Sequence, residues 1–226
     1  MAVVAPPHRG EGSQALRVLP ERQDSGLVTW LEPSARQEAP PRRLDLERAT
    51  LAVSDLLDAL GVDRGLDGLT QTPARVARAY AELLSQEPFV ATTFANDEGY
   101  DELVLARGIP FSSLCEHHML PFTGVAHVGY LPGERLLGLS KLARVVTYFS
   151  RRLQVQERLT TQVAGWLTET LHPKGVGVVL EASHACMSIR GVRASGAMTL
   201  TSALAGLVRD DERTRAEFFA LAGCQP

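Results

Sequence analysis

The hydrophobic period of this chain switches repeatedly between Leu44 and Leu221, and that alternation limits the fold more than any other feature of the sequence. Leu46, Ala49, Leu51 (or Val53), Leu56, Leu57 and Leu60 recur at spacings of three and four, and Gly61 stands where a C′ residue belongs. Thr72 as N-cap and Pro73 at the first helical position open a second helix through Val76, Ala77, Tyr80, Leu83 and Leu84. The two predict an N-terminal helical hairpin. Period-two alternation then appears, loosely over Glu102 to Ile109 and cleanly over Val125 to Leu131, ahead of a Leu131-Pro132-Gly133-Glu134 turn. Helical spacing returns over Leu139 to Leu153 and Val155 to Leu171, where Leu159, Val163, Trp166, Leu167 and Thr170 share a face and His172-Pro173-Lys174-Gly175 is the stop. Strands are expected over Val176 to Ile189 and Met198 to Ser202, then a last short helix over Asp211 to Leu221.

This order describes an α+β domain with a small antiparallel sheet and helices on one face. Such a sheet leaves strand edges uncovered, which favours association into an oligomer. The first 43 residues differ: six of the 13 prolines fall there, and little periodicity is present apart from the short Leu27 to Leu31 run. They bury too little to offset chain entropy and read as a disordered tail, with Trp30 and Leu31 as candidates for docking on a partner. The expected organisation is a tail at 1–43, a helical region at 44–98 and a catalytic domain at 99–226.

A chain of 226 residues with 45% hydrophobic residues can bury a core without disulfide staples. Lys+Arg 23 against Asp+Glu 26 gives a net charge of -3, without the basic surplus a nucleic-acid binder needs. Met1 to Gly12 lacks the pattern of a secretory signal, and no apolar run reaches the roughly 18–20 residues that span a bilayer. Three dispersed cysteines do not make a disulfide scaffold. The expectation is a cytoplasmic protein with no membrane or nucleic-acid partner.

His117, His118, His184, Cys115 and Cys186 fall into two short stretches, Ser113-Leu114-Cys115-Glu116-His117-His118 and Ser183-His184-Ala185-Cys186. Cys115 and His118, three apart, bring a thiolate and an imidazole to one side of a turn, as Zn²⁺ requires. In a regular strand His184 and Cys186 would share a face, adding a third ligand. Three protein ligands are the pattern of catalytic zinc, which leaves a fourth position for water. His117 and His184 would then be imidazoles suited to proton transfer. The alternative is a Cys115–Cys186 disulfide, which a reducing compartment disfavours. His127 and His172 read as core or solvated histidines, and Cys224 has no companions.

Ser140 sits near a helix start, followed by Lys141 and Arg144, with Arg190 after the Cys186 segment and Arg75 and Arg78 one turn apart on the Thr72 helix. Singly these read as surface charges; as a set beside a metal they suggest a phosphorylated substrate. Glu157 reads on its own as a carboxylate in the first turn of a helix.

Cys115-Glu-His-His118 with Leu120-Pro-Phe122, Gly138-Leu-Ser-Lys-Leu-Ala-Arg144, Ser150-Arg-Arg-Leu-Gln-Val-Gln-Glu-Arg-Leu159, Ser183-His-Ala-Cys186 and Thr72-Pro-x-Arg-Val-Ala77 together closely resemble GTP cyclohydrolase I, in order from about Leu44 to Leu221. The resemblance implies hydrolysis of GTP at C8 of the purine, loss of that carbon as formate and closure of a new ring to 7,8-dihydroneopterin triphosphate. It implies Cys115, His118 and Cys186 as zinc ligands, and His184 and His117 as proton-transfer residues. Gln156 and Glu157 would hold guanine. Ser140, Lys141, Arg144 and Arg190 would hold the triphosphate, with Arg75 and Arg78 from another subunit. It further implies the tunnelling fold, with sheets joined between subunits into a barrel, and a homodecamer of two stacked pentamers. Ala194 and Ala197 stand where the family commonly carries Lys and Ser. That departure leaves open a catalytically silent nucleotide-binding relative, as the zinc set leaves open the same chemistry feeding a deazapurine route.

Overall fold

A computed structural model describes residues 27–28 and 44–224. Its elements are β1 (Leu27–Val28), α1 (Leu46–Ala59), α2 (Thr72–Leu83), β2 (Ala91–Ala95), β3 (Val104–Cys115), β4 (Pro121–Leu131) and β5 (Arg135–Leu137). They continue as α3 (Ser140–Ser150), β6 (Leu153–Gln154), α4 (Gln156–Leu171), β7 (Gly175–His184), α5 (Ala185–Ser188), β8 (Thr199–Gly206), α6 (Leu207–Asp210) and α7 (Glu212–Ala222).

The hairpin forms as its spacing predicts. Gly61 takes the left-handed conformation just past α1 (φ 73°). Gln71, not Thr72, occupies the N-cap of α2, so Thr72 and Pro73 are its first two residues. No residue of α1 is buried within the chain. Most of the tail, Trp30 and Leu31 included, lies outside the described residues; Leu27 and Val28 pair antiparallel with Thr92 and Ala91.

The principal sheet has the order β6-β3-β4-β7-β8, antiparallel except for the short parallel β3–β6 pairing. A second sheet, β1-β2-β5, ties the 44–98 region to the rest of the chain. β3 and β4 run further than the alternation suggested. Gly108 and Pro110 look like breakers, but Gly108 (φ 73°) sits in a β-bulge between Ala106 and Ile109, and Pro110 is tolerated on a strand whose other side is largely unpaired. One face of the sheet buries Phe122, Ala126, Val128, Tyr130, Val176, Val178 and Leu180 against Leu142, Val145 and Phe149 of α3 and Leu159, Val163 and Leu167 of α4. At one end of the opposite face, Phe218 of α7 packs with Val179 and Val208. His172 closes α4 in the left-handed conformation before Pro173, the stop its sequence indicates. Among the described residues, no helix is long and apolar enough to cross a membrane.

Candidate metal centre

β3 and β4 meet at a tight connection that carries Cys115, Glu116, His117 and His118. Cys115 N–H donates to Leu120 O (2.9 Å), while Met119 N–H donates back to Cys115 O (2.8 Å) with Met119 in the left-handed region (φ 55°). Glu116 N–H donates to Gln154 O (3.0 Å), pinning the turn to β6, and the Tyr80 hydroxyl of α2 donates to Met119 O (3.0 Å). From the far side of β4, β7 delivers His184 as its last residue, in register with Phe122.

The strand does not continue to Ile189. Ile189 N–H donates to Ala185 O (3.1 Å), and the chain turns into α5, so Cys186 reaches the site from a helical turn and not from strand alternation. The result still gathers the expected set: ligand atoms of Cys115, His118 and Cys186 all lie within 4.8 Å of one another. Cys115 is buried, Cys186 half-buried and His118 exposed, so the cluster opens to solvent on the imidazole side. Both cysteines are free thiols, which answers the disulfide alternative. The Cys115 sulfur is 3.8 Å from Nδ1 of both His117 and His118.

Burial pushes the Cys186 thiol up, and the adjacent Cys115 sulfur pushes it further, against a weaker pull from Arg190. Two sulfurs crowded in this way, with an imidazole beside them, form a soft nitrogen–sulfur donor set whose charge a divalent cation neutralises. The set fits zinc: two thiolate donors and one imidazole, with no fourth His, Cys, Asp or Glu joining the group among the described residues. Burial holds His184 below its ordinary value, with the Glu157 charge opposing. Its ring lies parallel to Phe122, centroids 4.6 Å apart at 1°.

A polar network that sequence reasoning missed braces the turn. Arg158 pairs with Glu116, donates from Nε to Gln154 Oε1 (2.8 Å) and reaches Leu153 O (3.3 Å). The hydrogen bond from Arg158 holds the Glu116 carboxyl below its usual range. Buried Gln154 spends its amide on Phe149 O (2.9 Å) and Gln162 Oε1 (2.7 Å). Gln154 ends β6 and Arg158 lies in the first turn of α4, so the contact crosses a strand-to-helix boundary that the sequence does not mark.

The remaining candidates divide. Glu157 is exposed beside the cluster's helix start, and Arg190 follows α5 close enough for its charge to act on Cys186. Gln156 is buried. Arg75 and Arg78 are exposed on α2. Ser140, Lys141 and Arg144 occupy the first turns of α3, whose other end meets the metal end of β3 where the Ser113 hydroxyl donates to Ser150 O (2.7 Å). At about 1.5 Å per residue, Ser140 and Lys141 lie about 14–15 Å along α3 from Ser150, and Arg144 about 9 Å.

A solvent-facing thiol–thiol–imidazole triangle at the end of a small α+β sheet, with a stacked histidine beside it, is a site of the class that could hold a metal ion through three protein donors. The family model for GTP cyclohydrolase I matches residues 49–223. The chain is 51% identical over 185 residues to GTP cyclohydrolase 1 of Corynebacterium glutamicum, covering 80% of this chain and 94% of that protein. It is 50% identical over 217 residues to that of Rhodopirellula baltica (90% and 94% covered) and 55% identical over 171 residues to that of Streptomyces coelicolor (74% and 85% covered). The chain belongs to the GTP cyclohydrolase I family, and its antiparallel sheet with α3 and α4 on one face is the tunnelling-fold subunit that the resemblance implies.

Proposed function

We propose that Cys115, His118 and Cys186 hold a zinc ion and that the chain carries out its family's reaction, the first step of pterin and folate formation: GTP and one water give formate and 7,8-dihydroneopterin triphosphate. The single observation that carries this is the three-ligand cluster, assembled from β3, its turn and α5. When bound, zinc supplies Lewis-acid activation of water at neutral pH. The chain's own residues do the rest. His184, held against Phe122, moves a proton at the purine nitrogen next to C8, and His117, exposed on the turn, serves proton transfer nearer the ribose. The exposed Glu157 carboxylate accepts the paired N–H donors of the guanine edge. Arg190 holds the triphosphate from the cluster's own chain, and Ser140, Lys141 and Arg144 hold it from a neighbour, a reading supported by their place at the end of α3 away from Ser150; Arg75 and Arg78 add charge at the same interface.

Two unlike open edges, β8 and most of β3, support association head to tail into a ring, and the unburied α1 supports contact between rings. We infer the family's decamer of two stacked pentamers. The free thiols suit a reducing, cytoplasmic setting.

The test is direct. Zinc-quantified protein incubated with GTP releases formate together with a fluorescent pterin, and Cys186→Ala loses both the metal and turnover, on the order of 10³-fold or more. Formate release undiminished in metal-free protein refutes the zinc reading; tight GTP binding without product despite bound zinc favours a silent relative.

A further inference from the structure

Gln156, the first residue of α4, is 1% exposed, and every hydrogen of its side-chain amide is directed into the protein. Its Nε2 lies 2.8 Å from Thr199 O, 3.1 Å from Leu180 O and 3.1 Å from Thr201 Oγ1. Two of these are backbone carbonyls, which only accept, so the amide cannot be turned round without facing oxygen to oxygen. The third follows from the neighbouring hydroxyls. Thr160 donates its hydroxyl to Gln156 O (2.7 Å), so in its 2.6 Å contact with Thr201 the Thr160 oxygen must accept. Thr201 thereby spends its hydrogen on Thr160, and its own oxygen accepts from Gln156. The two hydrogens of the Gln156 amide are shared among three acceptors, so the amide nitrogen is the donor on that side, and Gln156 Oε1 is left pointing at His184 Nε2, 2.8 Å away. A carbonyl oxygen only accepts, so Nε2 is the nitrogen that carries hydrogen.

We propose that Gln156 is a positioning residue and not a ligand of the purine: its side-chain oxygen holds the His184 proton on Nε2 and makes Nδ1 the ring nitrogen with a free lone pair. The Phe122 stack fixes the plane of the ring, and Gln156 fixes its rotation within that plane. Any exchange of a proton between His184 and substrate then runs through Nδ1. Guanine recognition, which the family resemblance shares between Gln156 and Glu157, falls to the exposed Glu157 alone. The part that concerns substrate rests on the zinc-hydrolase reading above; the tautomer does not.

Two measurements on the zinc-loaded full chain test it. Magic-angle-spinning ¹⁵N spectra of protein labelled at histidine, with His184 assigned by its loss in His184→Asn, show in mildly alkaline buffer a protonated Nε2 and a bare Nδ1. In Gln156→Leu the same pair becomes a mixture of tautomers. A proton on Nδ1 in the unmodified protein, alone or together with Nε2, overturns the proposal. In steady state, Gln156→Leu lowers kcat for GTP by roughly 10- to 100-fold, a part of what a well-placed acid–base group contributes, while KM stays within about twofold. A raised KM with kcat preserved, or a lost preference for GTP over ITP, restores Gln156 as a purine ligand and overturns the proposal. Should Gln156→Leu lose zinc or melt early, Thr201→Val, which removes one anchor of the amide, shows the same kcat-only effect at smaller size; unchanged kcat there overturns it. If the unmodified protein releases no formate, the hydrolase reading fails and the spectrum alone decides the tautomer.

Discussion

At the scale of single residues, the Cys115–His118–Cys186 cluster depends on side chains outside it. Arg158 joins Glu116, Gln154 and the Leu153 carbonyl, and through Glu116 it holds the turn on which Cys115 and His118 stand. Supporting groups of this kind typically change metal affinity by about 10- to 100-fold when removed. Arg158→Leu is expected to weaken zinc binding by about that factor in competition with a chelator, while the zinc-saturated variant keeps most of its turnover. Unaltered affinity would show that the turn's backbone bonds to Leu120 and Gln154 suffice. The clustering of Cys115, His118 and Cys186 was legible because a Cys-x-x-His spacing and a second His-x-Cys within one chain are unusual together. The bracing by Arg158 and Gln154 and the burial of Gln156 were not, since one sequence does not distinguish a buried polar residue from a solvated one near a helix start, where both are ordinary.

At the scale of elements, β4 and β7 approach each other so closely that Gly124 admits no side chain: a Cβ there would stand 1.9 Å from Glu181 O. The next rung on the same face is Phe122 opposite His184, so the spacing at Gly124 sets the spacing of the stack. Gly124→Ala is expected to cost about 1–3 kcal/mol or more in denaturant melts, and to lower kcat by displacing His184. Full activity in a stably folded Gly124→Ala would disconnect the two rungs. Element types were readable from the period, and the stop at His172-Pro173 was readable from its residues. The boundaries that matter for chemistry were harder. Alternation in Val176 to Ile189 carries no mark of the turn at Ala185, and Cys186 reaches the cluster by a route that period-two reasoning does not contain. In β3, a glycine in a bulge and a proline on a free edge imitate a terminator, which hid the strand that ends at Cys115.

At the scale of the whole molecule, stability and assembly separate from the metal site. His127 is 8% exposed, its Nδ1 has no partner among the described residues, and it feels the charges of Arg107 from β3 and Glu181 from β7. Burial, then Arg107, holds it below its ordinary 6.5, while Glu181 pulls the other way. Above pH 6.5 the folded and unfolded chains both carry it neutral. As pH falls below that value the unfolded chain takes the proton first, and folded stability declines until the lowered folded value is reached, by at most about 1.4 kcal/mol per pH unit. Acid unfolding of His127→Leu should therefore show a shallower slope over that window than the unmodified protein; an identical slope would assign the loss to other groups. The proposed assembly would turn on β8, which among the described residues pairs only with β7 and exposes Leu200 at 56%. A charge there opposes edge-to-edge pairing. Leu200→Lys is expected to shift the particle from a multiple of the 24.5 kDa chain toward the chain itself in light scattering. On the proposed reading its zinc content should hold, because the three cluster residues come from one chain, while GTP turnover falls, because a neighbour would no longer present Ser140, Lys141 and Arg144. A single chain that still turned over GTP would place the triphosphate on residues of its own subunit and remove the reason for reading the site as shared.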